Sequence, residues 1–206
     1  METLRKNIIT ALLVLVSVTA FSQSADVVQN AFVKSYVAEN DKNYPLAISE
    51  LKTVYDPAGY MINIRLAWLN YLDKQYTVSA NYYKKSIAIR PYAIEARFGC
   101  VKPLSALEDW EGVKKQYMEI LTIDPQNTLA NYWLGVVYYN RKDFLNAVEL
   151  FEKVVNLFPL DYDSLIMLAW SKLKSSKPAE AKILFQQALI IRPNDSTAIS
   201  GLKMVP

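Results

Sequence analysis

Histidine is absent from this chain, and cysteine occurs once, at Cys100. The first absence removes imidazole as a general base, Ser-His and Cys-His nucleophile pairs, and any histidine-liganded zinc. The second rules out an intramolecular disulfide. Catalysis is left to carboxylates, Lys, Tyr and Ser, and no cofactor is expected. Excess charge is also scarce: 23 Lys+Arg are interleaved with 20 Asp+Glu, for a net charge of +3. Without a basic stripe to neutralise phosphates, nucleic acid is not an expected partner. Glycine is sparse, with 5 in 206 residues, whereas 52% of the chain is hydrophobic and 12% aromatic. That balance suits packed helices and argues against disorder.

The most continuous apolar run is Ile8 to Val18, preceded by Arg5 and Lys6 and followed by the small residues Thr19, Ala20 and Ser22. A basic head, a short apolar core and small residues are the pattern of a secretory signal peptide over residues 1–22. Gln23 is then the expected first residue of the mature chain, in a periplasmic or secreted setting. The run falls short of the roughly 20 apolar residues that span a bilayer, so membrane contact is expected only if the segment stays uncleaved.

Proline is placed with regularity: Pro57, Pro91, Pro125, Pro159 and Pro193 follow one another at intervals of 34 residues. Proline lacks an N–H and disfavours helix in the residue before it, so it ends a helix in the same register five times. Thr128 to Asp161 is the clearest unit. Leu134, Gly135 and Tyr138 lie on one side of an apolar run, the polar stretch Asn140 to Asp143 breaks it, and a 3.6-residue period resumes from Phe144 to Phe158 before Pro159. The spacing predicts helix, turn, helix, stop.

These residues resemble the tetratricopeptide repeat (TPR), whose W-x2-L-G-x2-Y, A-x3-F and P pattern is matched by Leu134-Gly135-x2-Tyr138, Ala147-x3-Phe151 and Pro159, with Asn131 in the tryptophan position. The resemblance implies an all-α, right-handed TPR-type solenoid of five helix-turn-helix repeats. They fall at about 24–59, 60–93, 94–127, 128–161 and 162–195, followed by a short tail, 196–206. It also implies a scaffold that binds a protein or peptide rather than an enzyme.

The repeats differ in telling ways. In the first, the turn from Glu39 to Asn43 reads as about two residues longer than that of the template. In the second, Ala67 and Ser79 supply the small side chains that let helices approach closely. In the third, Cys100 takes a core leucine position, reading as a buried inert thiol, and Pro103 falls inside the first helix, a costly place that produces either a kink or a hinge. In the fifth, Ser176 followed by Pro178 reads as a capped helix start.

In the TPR family the first helices line the concave face. Carried onto this register, that gives ligand-binding candidates Met61, Ile64, Trp68 and Tyr71 in the second repeat and Phe98 and Lys102 in the third. Tyr132, Val136 and Tyr139 follow in the fourth, and Ile166 and Trp170 in the fifth. Tyr132 and Val136 stand where the family's carboxylate clamp needs polar groups, which disfavours co-chaperone work. Tyr and Trp anchor interfaces while keeping a polar handle. A partner in an envelope or secretion assembly is therefore the leading expectation. An alternative is a structural subunit of a homo-oligomer. Gly201 and Pro206 are expected to prevent the tail from forming a full helix, leaving Phe185, Ala188, Leu189 and Ile191 as an open edge. A remoter alternative is an enzyme using Glu108 and Asp109 beside Trp110.

Overall fold

The computed structural model describes residues 25–206, so the signal-peptide expectation for residues 1–22 lies outside the described residues. Among those residues the chain is all-α, with eleven helices and no strand. The contacts divide the chain into two units, ending and beginning at Pro91 and Tyr92.

The first unit holds α1 (residues 25–40), α2 (Tyr44–Lys52), α3 (Tyr60–Leu72) and α4 (Tyr76–Ile89). Its core is Ala38, Ala47, Ile48, Leu51, Ile62, Leu66 and Leu69, with Phe32, Val54, Tyr55 and Tyr82 packed against it. Ala67 and Ser79 do meet at a close crossing, for both are fully buried and the Ser79 hydroxyl donates to the Ala67 carbonyl at 2.7 Å. The turn after α1 is not lengthened. It spans three residues, 41–43, as does 141–143 in the template, and the shortfall lies in α2, which has 9 residues where α8 has 14. Pro57 therefore lies nearer the start of α2 than Pro159 lies to the start of α8.

The second unit holds α5 (Ile94–Ala106), α6 (Trp110–Ile123), α7 (Thr128–Asn140), α8 (Phe144–Leu157), α9 (Tyr162–Lys174), α10 (Pro178–Ile191) and α11 (Ser196–Met204). Successive helices pack as antiparallel neighbours around Ala147, Val148, Phe151 and Leu168, and around Leu165, Ala169, Ala181, Phe185 and Ala188. Cys100 and Pro103 are buried, and α5 continues past Pro103 to Ala106. Side-chain caps fix the starts of α6, α7, α8, α9 and α11: Asp109, Asn127, Asp143, Asp161 and Asp195 each accept from a backbone N–H three residues on.

The intra-repeat turns are copies of one another. Lys42, Lys74, Glu108, Lys142 and Ser176 all have φ between 56° and 63°, the left-handed region that closes a helix C-terminus. The residue after each donates its N–H back to the helix, as in Asp143 to Tyr138 at 2.9 Å and Lys177 to Lys172 at 2.9 Å. Ser176 is therefore the left-handed turn residue and not a cap. Lys177 stands at the cap of α10, with no side-chain bond, and Pro178 opens the helix.

The open-edge expectation is corrected. Residues Ser196 to Met204 form a helix in spite of Gly201, and they cover the edge. Phe185 and Ala188 are fully buried, while Leu189, Ile191, Leu202 and Val205 pack around them half-buried. Gly201 makes this possible: a Cβ there would sit inside contact distance of the Phe185 ring, so glycine acts as a close-approach residue.

Candidate functional site

In the first unit the candidate face is built on α3. Met61 is 72% exposed, and Ile64, Trp68 and Tyr71 are half-buried. Trp68 is held from two sides. Its indole N–H donates to Glu39 Oε1 at 2.7 Å, and its ring stacks on Tyr71 with centroids 5.8 Å apart and planes at 29°. Glu39 also pairs with the buried Arg65, whose guanidinium lies 3.8 Å from the Tyr36 ring centroid. Burial pushes the Glu39 carboxyl up, but the hydrogen bonds from Arg65 and Trp68 outweigh it and hold the group below its ordinary range. Glu39 is a positioning residue that sequence reasoning assigned to the turn. Its only sequence signal is a carboxylate in the last turn of α1, a place where the helix dipole does not favour it.

In the second unit each candidate ring rests on a ring of a second helix. Tyr132 meets Phe151 edge-on with centroids 5.8 Å apart, Tyr139 meets Phe144 at 5.4 Å, Trp170 meets Phe185 at 5.3 Å, and Phe98 meets Tyr117 at 6.4 Å. Tyr132, Val136 and Tyr139 pack over one cluster, half-buried, while Lys102 is exposed. Ile166 is 8% exposed and belongs to the core around Phe185 rather than to an open face. Burial raises the hydroxyl pKa of Tyr139, and pushes that of Tyr117 to about 12.

Beside Tyr132 lies a cleft that the repeat register announces only in part, through the inward positions Leu129, Tyr132 and Asp163. Thr128, Leu129, Tyr132 and Trp133 of α7 line it with Val154, Phe158, Asp161, Asp163 and Ser164. Trp133 is 44% exposed and Phe158 55%. Sequence reasoning missed Trp133, Phe158 and Asp161 because Phe158 reads as the last apolar position of a helix.

Glu108 and Asp109 have structural tasks: Glu108 takes the left-handed turn position, and Asp109 caps α6 from the Gly112 N–H at 2.9 Å. Among the described residues no group of three or more His, Cys, Asp or Glu could hold a metal ion, and no helix is long and apolar enough to cross a membrane.

Residues 129–161 match the tetratricopeptide repeat family. The fold is a tetratricopeptide-repeat fold. A TPR protein from Parabacteroides merdae superposes with a TM-score of 0.73 at 16% identity, covering 86% of this chain and 71% of that one. YrrB, described as a TPR protein with an unusual peptide-binding site, gives 0.71 at 12% identity over 90% of this chain and 97% of its own. Mouse BBS4, a BBSome complex member, is 30% identical over 132 residues, 60% of this chain. The matched segment spans 25% of the length of BBS4. TPR folds of this kind serve protein–protein interaction, and the features above are those of a scaffold.

Proposed function

We propose that the chain is an extracytoplasmic TPR scaffold that grips a peptide segment of a partner protein, in an envelope or secretion assembly, through the aromatic faces of its first helices. The observation that carries this reading is the support beneath each ring. Tyr132, Tyr139 and Trp170 stand half-buried on Phe151, Phe144 and Phe185, and Trp68 is fixed by Glu39. Rings held in place lose little conformational freedom on binding, which is what interface anchors need. The likeness to YrrB and to BBS4 supports a binding role, and the basic head and apolar run of residues 1–22 support export.

The test has two arms. Cell fractionation with intact-mass measurement should find a chain beginning near Gln23 outside the cytoplasm, and a full-length cytoplasmic product would remove the export half. Affinity capture from an envelope extract should recover a partner with the wild-type chain and lose it with Tyr132→Ala combined with Trp170→Ala, at unchanged helical content. Equal recovery would remove the aromatic half.

A further inference from the structure

The repeat register explains only part of the cleft at the junction of α7, α8 and α9, since Trp133 and Phe158 stand outside the family's inward positions. One period before and after Phe158 the chain has Asp124 and Arg192, and one period before and after Trp133 it has Gly99 and Met167. The architecture therefore tolerates polar or absent side chains at both places, yet here two large rings stand in solvent, and Leu129 beside them is 53% exposed. Exposed rings gathered round a concavity are an unfavourable arrangement for a surface with nothing to bind.

The polar groups of the cleft point to what would fill it. Its charged lining residues, Asp161 and Asp163, are both acidic. Asp161 spends Oδ1 on the Ser164 N–H at 2.8 Å, and Asp163 Oδ1 lies 3.6 Å from Arg192, a long and mostly exposed pair. Both carboxylates act on the aromatic wall: burial raises the Tyr132 hydroxyl pKa, and the charges of Asp163 and then Asp161 raise it further. The Ser164 side chain adds a second, independent mark. Ser164 is 1% exposed, lines the cleft, and its hydroxyl has no hydrogen-bond partner. Buried hydroxyls normally find one.

We propose that this cleft binds a lysine or arginine side chain carried between apolar residues of a partner peptide. The aliphatic stem lies along Leu129, Trp133, Val154 and Phe158, the cationic head meets Asp161 and Asp163, and the rings add cation–π attraction. The Ser164 hydroxyl accepts from the head or from the peptide backbone. This rests on the peptide-scaffold reading above and names the chemistry of one subsite within it.

The experiment titrates the full chain, labelled with 15N at tryptophan, with acetyl-Leu-Lys-Leu-Leu-amide and with the same peptide carrying norleucine or Glu in place of Lys. The indole N–H signal of Trp133, assigned by Trp133→Phe, should shift with the Lys peptide, and the Lys peptide should bind at least 10-fold more tightly than either of the others. The charge-removing pair Asp161→Asn and Asp163→Asn, the first of which keeps a side-chain oxygen to cap α9, should erase that preference. Phe158→Ser, at an exposed site, should weaken the Lys peptide about 10-fold. Equal affinity for the norleucine peptide, or a preference that survives the paired substitution, overturns the proposal. A silent Trp133 with a shift at Trp68 or Trp170 also overturns it, while leaving the wider scaffold reading in place. No shift at any tryptophan up to millimolar peptide overturns the cleft alone, because the scaffold reading depends on partner capture.

Discussion

Asn131 donates from its side-chain amide to the carbonyl of Pro125 at 3.1 Å and to that of Asn127 at 2.9 Å, tying the loop after α6 to the second turn of α7. Two repeats earlier, Asn63 makes the same pair of bonds, to Pro57 at 3.1 Å and Gly59 at 2.7 Å. The position that the TPR pattern gives to tryptophan thus serves here as a polar clamp on the repeat junction. Each asparagine gives a donor to the proline carbonyl of the preceding loop, and a second donor to a carbonyl, that of Asn127 or Gly59, which the asparagine's own backbone N–H already bonds.

Asn131→Ala should therefore cost about 0.5–1.5 kcal/mol, the net contribution of a hydrogen bond of this kind. Urea unfolding followed by circular dichroism measures it. A change below about 0.5 kcal/mol, the usual effect of a neutral surface substitution, would mean that water replaces the clamp.

The position of Asn131 was legible from the sequence, but its role was not. The 34-residue proline spacing showed the helix pairs because proline acts locally on the backbone, and local rules survive in any context. Features that depend on a distant partner were lost. Gly201 reads as a helix breaker until Phe185 is seen against it, and Glu39 reads as a turn residue until the Trp68 indole reaches it. The left-handed turn residues were hidden for another reason: the chain places Lys, Glu and Ser where glycine would have signalled the conformation.

That choice of turn residue carries a cost. Lys142 is exposed with φ at 62°, where an L-residue is disfavoured by about 1–2 kcal/mol. Lys142→Gly should raise stability by roughly 0.5–1 kcal/mol after the added freedom of the unfolded chain is subtracted. Thermal unfolding checks the sign, and a lowered midpoint would contradict it.

The C-terminal helix offers a sharper change. Gly201→Val should force side chains into the Phe185 ring, costing about 1–3 kcal/mol and undocking α11 from α10. Amide hydrogen exchange should then speed up across residues 196–204. Lys203→Ala, at an exposed site, is the control and should leave exchange unchanged.

Stability should also depend on pH through Lys172, which is 6% exposed and receives Glu152 and Glu180 at 2.5 Å each. The hydrogen bond from Lys172 lowers the Glu180 pKa from its usual 4.5. A lowered carboxyl contributes stability above its unfolded value and loses it as pH falls through the folded one, so the loss falls below about pH 4.5. For Lys172, burial alone would lower its pKa, but the hydrogen bonds and charges of the two glutamates raise it above 10.5. That contribution is lost only as pH rises past that value. Glu180→Gln should flatten the acid limb of the melting-temperature profile, and an unaltered limb would show that other carboxyls govern it.

The central claim is that first-helix rings, held from beneath by second-helix rings, form the surface that binds a partner. The most direct measurement is the affinity of the captured partner for the wild-type chain and for the Tyr132→Ala, Trp170→Ala variant, with circular dichroism recorded on both. The account predicts a weakening of about 2–4 kcal/mol, the range of interface hot spots, at unchanged helical content. Unchanged affinity, or a variant that loses its helices, would show that these rings belong to the core and that the partner binds elsewhere.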